Sequence, residues 1–185
     1  MEQVYTYDKT FEKDAFTEHP LQKGEYENCT YRNIDFSNGD LSGFSFIECD
    51  FVDCNMAMIR LAKTSFRDTR FKGCKMLGLF FEHCSESGMS FSFNNCILNH
   101  ASFYQAKIRK TAFTDTQLQG VDFSACDLTG AIFTRCDLAT AKFDNANLEQ
   151  CDFRTSYNYV IDPGMNRIKK AKFSLEGLPG LLVKY

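Results

Sequence analysis

Residues 121–153 read Val121-Asp122-Phe123-Ser124-Ala125, Cys126-Asp127-Leu128-Thr129-Gly130, Ala131-Ile132-Phe133-Thr134-Arg135, Cys136-Asp137-Leu138-Ala139-Thr140, Ala141-Lys142-Phe143-Asp144-Asn145, Ala146-Asn147-Leu148-Glu149-Gln150 and Cys151-Asp152-Phe153. A large apolar residue stands at the centre of every five, and a small one stands two positions before it. Backwards from here the centres are Leu118, Phe113, Ile108, Phe103, Leu98 and Phe93. An earlier series with the same period runs from Phe11 through Phe16, Leu21, Tyr26, Tyr31, Phe36, Leu41, Phe46, Phe51, Met56, Leu61, Phe66, Phe71 and Met76 to Phe81. Fifteen of the 19 phenylalanines are centres, and all nine cysteines fall in the small-residue column.

Neither regular element explains a period of five. Five steps around an α-helix turn about 140°, so no apolar stripe forms. In a plain strand every second centre would point to the wrong face. A short extended piece followed by a corner satisfies the pattern. The small residue and the centre point inward, the residue between them points out, and the next two turn the chain. Four such walls close a square coil of about 20 residues, and coils stack at roughly the 4.8 Å spacing of paired strands. From Phe113 to Phe153 the centres alternate Phe and Leu. Four walls per coil then put Phe on two opposite sides and Leu on the other two, a constant volume per layer.

In their tandem register these segments resemble the pentapeptide-repeat family, whose pattern is A(D/N)LXX. Val121-Asp122-Phe123, Cys126-Asp127-Leu128, Cys136-Asp137-Leu138 and Ala146-Asn147-Leu148 carry the match, which spans about residues 11–155. The resemblance implies an all-β fold, a right-handed quadrilateral parallel β-helix of about seven coils, roughly 35 Å long at that strand spacing. The expected organisation is an N-terminal cap over 1–10, a repeat domain over 11–155 and a C-terminal cap or dimerisation segment over 156–185. The first twenty residues are expected to cover one open end.

Two irregularities stand out. Phe81 and Phe93 are 12 positions apart instead of 10, with Ser85-Glu86-Ser87-Gly88-Met89-Ser90 between them. Gly and Ser there suit a bulge or irregular corner, either a tolerated two-residue insertion or a protrusion that meets a partner. After Phe153 the repeat is expected to stop. Asp162-Pro163-Gly164 is a turn signal, and Pro163 suits the first turn of a short helix to Ile168. The apolar tail is expected to cap the open end against edge pairing or to form a homodimer contact through Leu178, Leu181, Leu182 and Val183.

Composition excludes several classes. A net charge of -3 shows no polycation for nucleic acid or anionic lipid. No stretch approaches the roughly 20 apolar residues of a membrane helix. Residues 1–19 carry Glu2, Asp8, Glu12, Asp14 and Glu18 without an apolar core, unlike a signal peptide. An odd number of cysteines without a secretion signal points to reduced thiols in a cytoplasm. The three histidines, His19, His83 and His100, fit no ligand spacing, and C-x-x-C, P-loop, G-x-G-x-x-G and G-x-S-x-G motifs are missing. Cys54, Cys74 and Cys96 fall on one side a coil apart, where three thiols near soft metal are conceivable; small buried thiols filling the core are the expectation. The sequence therefore predicts no catalytic residue, no metal and no cofactor.

What remains is surface. Residues 111–153 carry Asp115, Asp122, Asp127, Asp137, Asp144, Glu149 and Asp152 against Arg135 and Lys142, whereas residues 60–75 carry Arg60, Lys63, Arg67, Arg70, Lys72 and Lys75 against Asp68. Outward positions that should be polar hold Met58, Leu77, Phe80, Ile97 and Tyr104, and a contiguous apolar group marks a contact site. Within the family, Ile34-Asp35-Phe36-Ser37-Asn38-Gly39-Asp40-Leu41 through Phe51 is similar to the start of the quinolone-resistance (Qnr) rods. Ile161-Asp162-Pro163-Gly164-Met165-Asn166-Arg167-Ile168 is similar to the tail of the microcin B17 immunity type. That resemblance implies a dimeric rod that mimics B-form DNA with an acidic surface (Asp115, Asp122, Asp127, Asp137, Asp144, Glu149), binds DNA gyrase or topoisomerase IV and protects it from poisons. The positive block from Lys63 to Lys75 argues against mimicry. The alternative is a protein-interaction scaffold using the Met58/Leu77/Phe80/Ile97/Tyr104 patch.

Overall fold

The chain winds into a right-handed, four-sided parallel β-solenoid. The structure, a computed structural model, describes residues 4–16 and 20–183. Wall 1 stacks Val4–Tyr7, Gly24–Glu27, Ser45–Ile47 and Ser65–Arg67 as parallel strands. Wall 2 stacks Thr10–Phe11, Thr30–Arg32, Asp50–Val52, Thr69–Lys72, Phe91–Asn94, Ala112–Thr114 and Ile132–Thr134. Walls 3 and 4 pair through single bridges, such as Asp35 with Asn55 and Ser102 with Asp122. The register is one coil of 20 residues, as in Phe51 opposite Phe71 and Phe113 opposite Phe133.

Centres and small residues fill the interior, as the period requires. On wall 2 one column of stacked rings runs Phe11, Tyr31, Phe51, Phe71, Phe93, Phe113, Phe133, Phe153 and Phe173, with centroids 4.6–5.5 Å apart. On the opposite wall 4, Phe81, Phe103, Phe123 and Phe143 stack at 4.4–5.3 Å. The two columns meet edge-on, Phe113 against Phe123 at 78°. The alternation of Phe and Leu thus becomes opposite walls, as expected. Each buried ring contributes about 1.5–3 kcal/mol by leaving water.

Corners come in two kinds. At most of them the second residue after the centre takes a positive φ, a conformation that costs a non-glycine residue about 1–2 kcal/mol; Met58 (φ 57°) and Thr140 (φ 58°) adopt it without a glycine's freedom. In a turn-type corner the N–H three residues on donates to the centre's carbonyl, as Ala101 does to Leu98 (2.9 Å) and Ala131 to Leu128 (2.8 Å). In a strand-type corner that carbonyl instead accepts a side-chain donor from the next coil. Cys49 donates to Tyr26 (3.3 Å), Cys54 to Tyr31 (3.5 Å), Cys74 to Phe51 (3.3 Å), Cys136 to Phe113 (3.4 Å) and Thr69 to Phe46 (3.3 Å). This gives the cysteine column a reason beyond volume: a small side chain with a donor completes the strand-type corner. Thr64 and Cys151 make the same bond at turn-type corners.

The insertion is absorbed entirely on wall 1. Ser85 N–H still donates to Thr64 C=O (2.8 Å) and Ser90 N–H to Phe66 C=O (3.0 Å), so the extra residues fall within 86–89, and wall 2 resumes with Thr69 opposite Phe91 and Phe71 opposite Phe93, an offset of 22. Phe91 turns into the core against Phe81, ring centroids 5.4 Å apart. Ser90 is tied to the coil below through Asp68, whose N–H donates to Ser90 Oγ (2.7 Å).

Both ends correct the expected boundaries. Residues 4–11, placed in a cap and at its border, are rungs of walls 1 and 2. Met1–Gln3 and Thr17–His19 of the expected N-terminal cover, and Lys184–Tyr185, lie outside the described residues. At the other end the expected helix from Pro163 to Ile168 is not formed. Gly164 N–H donates to Asp162 Oδ1 (2.7 Å), which makes a turn. The repeat does not stop at Phe153: Arg167 bridges to Asn147, Lys172 bridges to Asp152, and Phe173 stacks on Phe153. The helical cap is a single 3-10 turn, Leu178–Leu181. It is clamped to the last coil by Ile161 N–H donating to Gly180 C=O (3.0 Å). Gly177 and Gly180 lie against Tyr159 so closely that a Cβ at either would collide with it. Leu181 packs on the core, whereas Leu178, Leu182 and Val183 face outward.

Candidate binding surface

Outward positions on each wall are of two sorts. The residue before the centre is often Asp or Asn, and its side chain accepts from the backbone N–H two residues on, as in Asp35 to Ser37 (2.9 Å), Asp40 to Ser42 (2.8 Å) and Asp122 to Ser124 (2.8 Å). The Ser37 and Ser42 hydroxyls, and after them these backbone bonds, hold Asp35 and Asp40 below the usual carboxylate range. The carboxylates are turn braces, which explains their number without chemistry.

The six residues of the expected acidic surface do not share a face. Asp115 is at the corner after wall 2, Asp127 and Glu149 on wall 1, Asp137 on wall 3, and Asp122 and Asp144 on wall 4. Three are neutralised by arginines: Asp115 by Arg135 (2.6 Å), Asp127 by Arg109 (2.6 Å) and Glu149 by Arg167 (2.8 Å). The basic block is distributed in the same way, because 16 consecutive residues nearly circle the rod; Arg60 meets Asp40 and Arg70 meets Asp50 one coil below. Such exposed pairs contribute about 0–1 kcal/mol each, but they flatten the local field.

The apolar five, by contrast, lie on two adjacent walls, with Met58, Leu77 and Phe80 flanking the corner between them. Leu77 and Ile97 lie on successive coils of wall 3, Phe80 and Tyr104 on successive coils of wall 4, and Met58 stands at the corner between these walls one coil below. Met58, Phe80 and Tyr104 are 59%, 51% and 44% exposed, and Leu77 and Ile97 are half-buried. The Phe80 ring stacks on His83 at 5.5 Å. Sequence reasoning missed the feature beside them. The break opens a cleft of about 200 Å³ lined by Phe81, Glu82, Glu86, Met89, Tyr104, Gln105 and Ala106.

The interior holds the thiols. The Cys54, Cys74 and Cys96 thiols do stack on wall 3, and each donates to a backbone carbonyl. Burial pushes the Cys49 and Cys151 thiols up to about 12, away from the reactive thiolate, whereas the neighbouring Cys74 thiol holds Cys96 below its ordinary value. No helix among the described residues is long and apolar enough to cross a membrane.

Two family models match the chain, "Pentapeptide repeat region" over residues 81–157 and "Pentapeptide repeats (8 copies)" over residues 32–68. The chain belongs to the pentapeptide-repeat family. Among curated proteins there is no significant match. Among solved structures it is similar to a trypsin-treated form of QnrB1, a plasmid-mediated fluoroquinolone resistance protein, at 19% identity, covering 98% of this chain and 95% of that one with a TM-score of 0.63. A second QnrB1 form gives 20% identity, 99% and 97% coverage and a TM-score of 0.57. HetL from Nostoc sp. strain PCC 7120, involved in heterocyst differentiation regulation, gives 15% identity, 95% and 86% coverage and a TM-score of 0.48. At these identities the likeness to the two QnrB1 forms shows a shared fold.

Proposed function

We propose that this pentapeptide-repeat protein is a non-catalytic rod that binds a protein partner across the corner between walls 3 and 4. The observation that carries the reading is the exposure of Met58, Phe80 and Tyr104 on consecutive coils of the two walls that meet there, where the repeat otherwise places turn-bracing and charged residues. Grouped exposed apolar side chains are a mark of interaction sites, and aromatic anchors dominate binding energy. Capture of host proteins by the immobilised rod tests it. Phe80→Arg abolishes capture of the specific partner, and Ile132→Arg, an equally exposed apolar position on wall 2, leaves it intact. Equal capture by both variants defeats the reading.

A second reading names the partner. The rod is similar to QnrB1 over nearly the full length of both chains, and the Qnr resemblance implies DNA gyrase or topoisomerase IV. The scattered, arginine-paired carboxylates argue against an acidic face that imitates DNA, so a topoisomerase would be held through the apolar corner. A supercoiling assay with and without a fluoroquinolone decides it: neither protection nor inhibition at micromolar rod eliminates this partner and leaves the general scaffold.

A further inference from the structure

We propose that the cleft at the break receives one cationic side chain, a lysine or arginine carried by the docking partner; the proposal rests on the reading of the adjacent corner as a docking surface. Glu82 belongs to the 3-10 turn Phe81–His83, where the chain leaves the regular repeat. Its Oε1 accepts the Ser102 hydroxyl from the next coil at 2.8 Å. Its Oε2 is screened from solvent, yet it accepts no hydrogen bond among the described residues. A carboxylate is an acceptor only, with about four lone-pair sites, and a buried one without donors is costly. The group that satisfies it must bring donors, and a positive charge makes those bonds roughly twice as strong.

The rest of the cleft fits the same ligand. Met89, partly exposed, offers an apolar floor for an aliphatic stem, as lysine and arginine stems prefer. Tyr104, one coil above Glu82, supplies an aromatic wall, and a ring attracts a cation over its face. Glu86 adds a second carboxylate at the rim. Lys107 approaches it at 3.6 Å with both side chains more than 70% exposed, a loose, solvent-screened pair that an incoming cation displaces. With two carboxylates and one lysine the cleft keeps a net negative charge. A metal ion is the poorer match, since no group of three His, Cys, Asp or Glu among the described residues could hold one. Phe80 precedes this 3-10 turn and stacks on its His83, so a basic residue next to an apolar segment would engage both at once.

The test needs no partner, so its outcome is separate from that of the docking surface itself. The isotope-labelled protein is titrated with ethylguanidinium chloride and, in parallel, with its neutral isostere N-ethylurea, and amide shifts are followed by NMR. Ethylguanidinium is expected to give saturable shifts at residues 82, 86, 89 and 104–106, and N-ethylurea none. Glu82→Gln, with its circular dichroism unchanged, weakens the cation at least about tenfold. Equal response to both compounds, or undiminished binding by Glu82→Gln, overturns the proposal. Should Glu82→Gln fail to fold, Glu86→Gln serves in its place: a several-fold loss supports the cation site, and none overturns it.

Discussion

The coils before the break and those after it solve the same packing problem differently. Before it, aromatic centres sit on adjacent walls 1 and 2, as in Tyr26 with Tyr31, Phe46 with Phe51 and Phe66 with Phe71. After it they sit on opposite walls 2 and 4, as in Phe113 with Phe123. The wall 1 column ends at Phe66 and the wall 4 column begins at Phe81, with the insertion between them. The corner chemistry changes at the same place. Wall 1 is built of strands up to Ser65–Arg67 and of turn-type corners from Leu128 onward. The insertion is therefore the joint at which one ring arrangement hands over to the other, while the wall 2 column runs through unbroken. Most coils on both sides hold two rings, whereas the coil of Tyr26 and Tyr31 adds Phe36 and the coil at the break adds Phe91.

The hand-over point should be the most sensitive. Phe103 stacks on Phe81 and Phe123 and meets Phe93 and Phe113 edge-on, so Phe103→Ala is expected to cost about 3–5 kcal/mol in urea unfolding. A loss below 1 kcal/mol would mean that the ring columns do not carry the core. The arrangement itself can be swapped. Leu128→Phe puts a third ring in one coil and should cost roughly 1–3 kcal/mol by overpacking. Adding Phe123→Leu restores two rings on adjacent walls and should recover more than half of that. Failure to recover would show that the two arrangements are not interchangeable.

The corner difference gives a smaller effect. Cys49→Ala removes the donor of a strand-type corner and should cost about 1–2 kcal/mol, whereas Ala131→Cys at a turn-type corner should gain nothing in the same thermal melt. Tyr31 carries its hydroxyl into the ring column without a hydrogen-bond partner, and burial pushes its pKa far up. Tyr31→Phe is expected to stabilise the first half by about 1 kcal/mol, visible as a raised Tm. The smallest effect is shared by both halves. Asp35, Asp40 and Asp152 have folded pKa values below the ordinary 3.8. Their contribution is complete above that pH and is lost as pH falls below it, so melts should be flat from pH 7 to about 5 and decline towards pH 2.

The square tube was legible because a five-residue period has one economical closure, and because Phe and Leu alternate where four walls demand it. Other features were hidden for identifiable reasons. The phase from Phe153 reaches Ile168 and Phe173 in steps of five, but Asn158 and Pro163 stand at the intervening centres and disguise it. In their place Tyr159 and Ile161 fill the core. Charge was misread because neighbours in sequence circle the rod, whereas neighbours in space are 20 residues apart; Arg135 and Asp115 meet only after folding. The apolar corner could be read, since counting four walls per coil is enough to place Phe80 beside Met58. The cleft could not. Glu82 occupies an ordinary outward position, and only the two-residue slip sets Tyr104 above it.

The placement of the nine thiols has a practical consequence. Every one is buried and they are spaced from Cys29 to Cys151, so an alkylating reagent can reach a given sulfur only when its own stretch of the tube opens. Mass-resolved alkylation in native buffer would thus report opening rates along the axis without any introduced probe. In a quasi-one-dimensional protein, where each layer leans only on its neighbours, those nine clocks would reveal whether the molecule unzips from its tips or splits first beside Cys84.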